Sequence, residues 1–291
     1  MTSQVMGSRR GRVYHPRMSS TAALPLRAAP TPFGEHLRHW RTRRRLSQQD
    51  LAGEADISTR HLSFVETGKS SPSREMVLRL AERLDVPLRE RNAMLVAAGF
   101  APMYRERPLD DPQLAPARAA VDLILKAHEP NPALAVDRHW NLVAANRMIP
   151  HLMAGADAEL VQGQVNVLRL SLHPKGIASR IANLGQWREH LFERLRQQIH
   201  ATGDAVLATL LEELRGYPVP DGAHDTVLDG EHVGVALPLQ FRTPAGALLN
   251  FISTTTVFGT AVDVTVQELT LETFFPLDAA TAQALQAMAA A

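Results

Sequence analysis

Between Ser58 and Lys69 the chain reads Ser-Thr-Arg-His-Leu-Ser-Phe-Val-Glu-Thr-Gly-Lys, and these residues divide into two sets at helical spacing. Leu62 and Val65 face inward together with Ile57, which leaves Thr59, Arg60, Ser63 and Phe64 pointing outward. A guanidinium can bond a guanine edge in two places, and a threonine methyl or an aromatic ring can touch a thymine methyl. An exposed helix of this composition therefore fits the major groove of B-DNA. An ordinary helical hairpin with a solvated polar face has the same local spacing, so the surrounding elements must decide between the two.

Those elements form a small helical frame. Ser47 is a good helix N-cap, and Asp50 stands three residues on, where its carboxylate can reach back to the cap and meet the positive helix end. Leu51, Ala52 and Ala55 then share one face, Glu54-Ala55-Asp56-Ile57 makes a turn, and Ser58 caps the outward-facing helix. Gly68 follows its last turn, where a left-handed residue costs glycine least. An earlier helix is expected over residues 32–46, with Pro32 in its first turn and Phe33, Leu37 and Trp40 in its stripe. Arg38, Arg41, Arg43, Arg44 and Arg45 crowd its end, serving either the helix dipole and solubility or phosphate contact. A fourth helix is expected from Pro72-Ser73, with Met76, Val77, Leu80, Ala81 and Leu84 inward, and a fifth from Leu88 to about Ala98, before Gly99-Phe100.

This stretch resembles the helix-turn-helix domain of the Xre family, the phage-repressor type. The likeness lies in Leu46-Ser47-Gln48, Leu51-Ala52, Glu66-Thr67-Gly68-Lys69, Pro72 and Leu80-Ala81 before Leu84. It implies a five-helix, lambda-repressor-like domain with Gln48 anchored on a phosphate and Thr59, Arg60, Ser63 and Phe64 at base-reading positions, Lys69 standing beside them. It also implies that Arg41 and Glu66 form an internal ion pair between the first and third helices. Phe64 departs from the polar residue common in phage repressors. The longer string Ser58 to Gly68, followed by Pro72-Ser73-Arg74-Glu75 and Ala97-Ala98-Gly99-Phe100-Ala101-Pro102, is similar to one branch, the regulators that carry an MmyB-like ligand-binding domain.

The charge distribution agrees with a divided chain. The 291 residues carry a net charge of +1, yet residues 1–107 hold 19 Lys/Arg against 10 Asp/Glu, while the remainder holds 12 against 20. A basic amino-terminal third suits displacement of counterions from phosphates, and the acidic remainder argues against a second nucleic-acid surface. The chain has no Cys, which excludes disulfides and thiolate metal sites and fits a cytoplasmic protein. No apolar run is long enough to cross a membrane, and residues 1–31 lack a signal-peptide core. Residues 1–31 read as a disordered basic tail, either solvated or reaching a minor groove, and Met18 is an alternative start to Met1. The domain of residues 32–100 is followed by a proline-rich linker over 101–113, with Pro102, Pro108 and Pro112.

A second domain is expected over residues 114–284, leaving 285–291 as a tail. Residues 114–128 read as a helix, and Ala133 to Asn146 as a hairpin turning at Asp137-Arg138-His139. Helical stripes follow over 177–216. After 230 the period becomes two: Val233, Val235, Leu237 and Leu239 to Phe241, then Leu248 to Phe258, then Val262, Val264, Val266, Leu269 and Leu271 as a third strand. This order is α+β and PAS-like. Its resemblance to the MmyB-like domain rests on Pro132 to Asn146, Leu168 to Pro174, Thr254 to Gly259 and Phe275 to Asp278. That resemblance implies a buried apolar ligand, a fatty acid or similar acyl chain. The candidates to meet it are Trp140, Asn146, His173, Trp187, Leu191, Phe251 and Phe258, each of which could equally be ordinary core, cap, strand or loop.

No metal-binding or catalytic motif stands out. The His residues form no His-Glu-x-x-His pair, and there is no Gly-x-Ser-x-Gly elbow, phosphate-cradling glycine loop or dinucleotide fingerprint. The expected protein is a non-enzymatic, cytoplasmic regulator. It would bind double-stranded DNA as a homodimer, sense a small apolar ligand, and need no cofactor. The alternatives are a carboxy-terminal domain that only assembles with a protein partner, and an enzyme with an appended DNA-binding domain.

Overall fold

A computed structural model of the chain describes residues 32–218, 237–259 and 263–290. The basic tail expected over residues 1–31 lies outside the described residues, as do Val233, Val235 and Val262.

Residues 33–97 form five helices: α1 (Phe33–Arg43), α2 (Gln48–Glu54), α3 (Thr59–Glu66), α4 (Arg74–Arg83) and α5 (Leu88–Ala97). Serine caps set three of the starts. The hydroxyls of Ser47, Ser58 and Ser73 accept the backbone N–H of Asp50, His61 and Met76, and Asp50 returns the bond to Ser47 in a full capping box. The first helix stops at Arg43, short of the expected residue 46, because Arg45 turns left-handed at φ 58° and breaks the ladder. Phe33, Leu37 and Trp40 of α1 pack with Leu51, Leu62, Val65, Val77, Leu80 and Leu95 in one core. The contact of α1 with α3 is so close that a Cβ on Gly34 would stand 2.3 Å from the Glu66 carbonyl oxygen, so only glycine fits there.

The proline-rich connection is pinned rather than free. Asn92 of α5 donates to the Tyr104 carbonyl and accepts from the N–H groups of Met103 and Tyr104. Further on, Arg107 pairs with the buried Asp263 at 2.7 Å, and the Val264 N–H donates to the Arg105 carbonyl.

The second domain opens with a single 3-10 turn and α6 (Ala115–Ala127), close to the expected 114–128. The expected hairpin follows as β1 (Ala133–Val136) and β2 (Leu142–Ala145), then α7 (Ile149–Met153), α8 (Ala158–Val161) and α9 (Val167–Leu172). Of the stripes expected over 177–216, Ile177 and Ile181 only flank a 3-10 turn over Ala178–Arg180, and the rest become α10 (Leu184–Thr202) and α11 (Ala205–Arg215). The chain closes with β3 (Leu239–Arg242), β4 (Leu248–Val257), α12 (Val264–Gln267), β5 (Thr270–Pro276) and α13 (Ala279–Ala290). The five strands form one antiparallel sheet in the order β2-β1-β5-β4-β3.

Two further expectations need correction. Val264 and Val266 belong to the short helix α12, because Asp263 caps it by accepting the Thr265 N–H, and β5 starts only at Thr270. Residues 285–290 are no tail: Leu285 of α13 is fully buried, and Thr281 is buried and accepts the N–H of Asn250 in β4.

Alternation puts β1 in two cores. Ala133 and Ala135 face α6, where Val121 and Leu125 close on small side chains, while Leu134 and Val136 face the larger core under α7, α9, α10, α11 and α13.

Candidate functional site

Two surfaces carry the chemistry, one in each domain. On α3, Leu62 and Val65 are buried and hold the helix down, while Thr59 and Arg60 remain exposed with both domains in place. Ser63 and Phe64 are half-buried one turn on. Two cations approach the Phe64 ring, the Arg60 guanidinium carbon at 5.4 Å and the Lys69 ammonium at 5.8 Å from its centroid. Behind this surface Arg41 grips Glu66 with two bonds, at 2.6 and 3.1 Å, and donates a third to the Leu46 carbonyl at 2.8 Å. The pair is nearly dry, with side-chain exposures of 11% and 3%. Gln48 joins it, donating its amide to Glu66 at 2.7 Å. The side chain expected on a phosphate therefore has one amide hydrogen committed to the frame.

The arginines at the end of α1 divide by role. Arg44 donates to the carbonyls of Leu84 and Asp85 at the end of α4, and Arg43 reaches out of the domain altogether. Arg38 and Arg45 are exposed and are the two left to meet solvent or phosphate.

In the second domain, the inner face of the sheet and the helices over it enclose an apolar cavity of about 100 Å³. An apolar cavity of about 150 Å³ binds benzene, so this volume by itself takes a compact apolar group or one end of an alkyl chain. Trp140, Trp187 and Leu191 line it, with Leu134, Leu142, Leu168 and Phe241. Leu142, Ile149 and Met153 also border a neighbouring, more open recess of about 370 Å³. Trp140 adopts a left-handed φ of 66°, a conformation bulky residues avoid. It is held there by its own N–H on the Asp137 carbonyl and by its indole N–H on Gln198 of α10 at 2.8 Å.

The other candidates lie elsewhere. Asn146 is buried as a structural cap, accepting from Ala133 N–H and donating to the carbonyls of Leu125 and Asn131. His173 is half-buried against Tyr217 and accepts from the Lys175 N–H. Phe251 is fully buried, edge-on to Phe274, which itself lines the cavity. Phe258 packs on the opposite face of the sheet, in the cluster of Val121 and Leu125. Sequence reading missed Arg194 and Glu272, the two charged residues of the lining. Glu272 stands opposite Leu134 in the β1–β5 pairing, so its place on the cavity face follows from strand register rather than from any local pattern.

Residues 117–288 match the family described as the MmyB-like transcription regulator ligand binding domain, which is more than half of the chain. The chain belongs to the MmyB-like transcription regulators. Residues 32–94 of this regulator match a helix-turn-helix domain family as well. No curated protein gives a significant match. A solved structure, the restriction-modification controller protein C.AhdI from Aeromonas hydrophila, is similar at 37% identity over 20% of this chain and 89% of that chain, with a TM-score of 0.20. The MmyB-like regulator is thus a DNA-binding helix-turn-helix protein with a ligand-binding domain, and no helix among its described residues is long and apolar enough to cross a membrane.

The regulator's two domains meet along a polar seam. Arg43 of α1 donates to the carbonyls of Ile199 and His200 near the end of α10. Beside them Gly203 turns left-handed at φ 75°, and a Cβ there would stand 3.0 Å from the Arg43 guanidinium. Arg89 of α5 pairs with Glu268 at 2.7 Å and Glu106 at 2.5 Å, and the Glu268 bond above all holds its guanidinium well above the ordinary range. Burial works against the Asp204 carboxylate, yet bonds from His139 and the Val206 N–H, with the nearby Arg138 charge, bring it below its ordinary value.

Proposed function

We propose that this regulator reads operator DNA in the major groove through α3, and that a small apolar, fatty-acid-like molecule in the carboxy-terminal cavity modulates its affinity. Thr59, Arg60, Ser63 and Phe64 would meet base edges, with Lys69 and the exposed Arg38 and Arg45 on phosphates. The observation that carries the regulatory half is the double engagement of α10. Trp187, Leu191 and Arg194 on this helix line the cavity, and its carboxy-terminal carbonyls hold Arg43 of the DNA-binding domain. A ligand that shifts α10 would change how the helix-turn-helix domain is held, a population shift between two domain arrangements. Repressors of this shape act as homodimers whose recognition helices meet half-sites about 34 Å apart, and we assign the same arrangement on DNA.

The test has two parts. Duplexes selected from a random pool by the purified full-length protein give the operator, and the binding stoichiometry should be two chains per site. Native mass spectrometry of the same preparation should show a retained apolar species, whose removal and restoration change operator affinity. A chain that selects no duplex sequence refutes the DNA reading. A carboxy-terminal domain that never takes up an apolar molecule but binds a protein refutes the sensing one.

A further inference from the structure

Apart from the Ser171 hydroxyl, which accepts from the Trp187 indole, the cavity lining is apolar except at the end where α10 and the sheet bring charge to it. Among the described residues the charged side chains that line it are Arg194 and Glu272. They face each other in two bonds, at 2.7 and 3.1 Å. Thr255, the register partner of Glu272 on β4, locks the pair by accepting from Arg194 at 2.8 Å and donating to Glu272 at 3.0 Å. The guanidinium also lies over the Trp140 ring, 4.8 Å from its centroid. Glu272 is buried, with a side-chain exposure of 5%, against 22% for Arg194. A further titratable neighbour is His190, one turn before Arg194 on α10. Burial first, and then the Arg194 charge, hold its imidazole below its ordinary value, so it adds no charge at neutral pH.

This end of the cavity is therefore already neutral, with one cation, one anion and a fixed geometry. A carboxylate head placed beside it would make two anions share one guanidinium in apolar surroundings. An ammonium head would set two cations against one carboxylate. Either leaves a buried charge without a full partner, which is the costly arrangement. An uncharged polar head carries no such penalty. It can accept from guanidinium N–H groups that neither Glu272 nor Thr255 takes, the Nε–H among them.

We propose that the cavity selects an acyl or alkyl chain with an uncharged, hydrogen-bonding head, an alcohol, ester or amide, over the corresponding free acid or amine, and that Glu272 sets this preference. The proposal rests on the cavity being a ligand site and narrows the ligand class. Of a fatty acid and the acyl compounds similar to it, the charge balance favours the latter.

The experiment titrates the full-length protein with decanol, methyl decanoate, decanamide, decanoic acid and decylamine, read by tryptophan fluorescence, since Trp140 and Trp187 line the cavity. The neutral members should bind at least about tenfold more tightly than the acid and the amine, a difference of about 1.4 kcal/mol. Glu272→Gln keeps the shape and leaves Arg194 with a neutral partner, so it should move the preference toward decanoic acid by about tenfold or more. Circular dichroism establishes that the variant is folded; where it is not, the wild-type ranking decides. Equal or tighter binding of the acid by the wild-type chain overturns this proposal and leaves the ligand site standing, as does an unchanged ranking in folded Glu272→Gln. Binding of no member of the series overturns the ligand site and this proposal together.

Discussion

Arg41 and Arg60 are the same residue type on neighbouring helices, and their surroundings give them opposite roles. Arg41 is spent on Glu66 and the Leu46 carbonyl, so it is part of the frame, while Arg60 keeps its guanidinium at the surface over Phe64. Glu66→Ala should lower the unfolding free energy of the helix-turn-helix domain by about 3 kcal/mol, because it strands a nearly dry guanidinium and removes the acceptor of Gln48. Denaturant unfolding of the full chain measures this, and an unchanged midpoint would take the pair out of the stability argument. Arg60→Ala should leave the midpoint alone but cost about 1–3 kcal/mol on the selected operator and relax base choice at one position. Lys69→Ala should weaken all duplexes alike and reduce the salt slope by about one. Binding isotherms on matched and mismatched duplexes over a salt series separate these two outcomes.

At the scale of single elements, legibility followed local chemistry. The helices of residues 47–83 were readable because serine caps and inward stripes are written in adjacent residues. Ser58→Ala, which removes the hydroxyl that accepts the His61 N–H, should cost about 1 kcal/mol of domain stability without altering the base preference of α3. Thermal melts and duplex selection check the two halves of that statement. Elements that depend on distant partners were misread. The alternating Val264 and Val266 look like a strand, yet the backbone there bridges to Arg105 of the linker and Asp263 closes a helical turn. The alanine-rich α13 has no marked stripe and no charged residue, so its end reads as a tail. Only the groove beside β4 and β5 shows why Leu285 and Thr281 are buried.

In the whole molecule the seam between the domains joins the cavity-bearing domain to the helix-turn-helix domain. Arg43→Ala removes the bonds from α1 to the Ile199 and His200 carbonyls of α10, the cavity-lining helix. If the proposed coupling holds, the ligand's effect on operator affinity should fall from the usual 1–3 kcal/mol toward zero, while each domain keeps its own ligand. Paired isotherms with and without ligand decide this. Glu90 lies in the same seam, and burial raises its carboxyl above the ordinary 4.5, with Arg138 and Arg89 opposing. A group whose folded value is raised holds its proton more tightly when folded. Its contribution is full below the unfolded value and is lost as pH rises through the folded one. Glu90→Gln should therefore raise the melting temperature at neutral pH, and the gap to wild type should close as pH falls toward 4.5. The division into a basic helix-turn-helix domain and an acidic α+β partner, the five-helix frame and the exposure of Thr59 and Arg60 were determined by the sequence alone, because caps, periodicity and charge act between near neighbours. The enclosure of the cavity by α10 and the sheet, the neutral Arg194–Glu272 pair at its end, and the hold of α10 on Arg43 were decided only in three dimensions. Each joins residues far apart in the chain, and strand register and helix docking, not local pattern, bring them together.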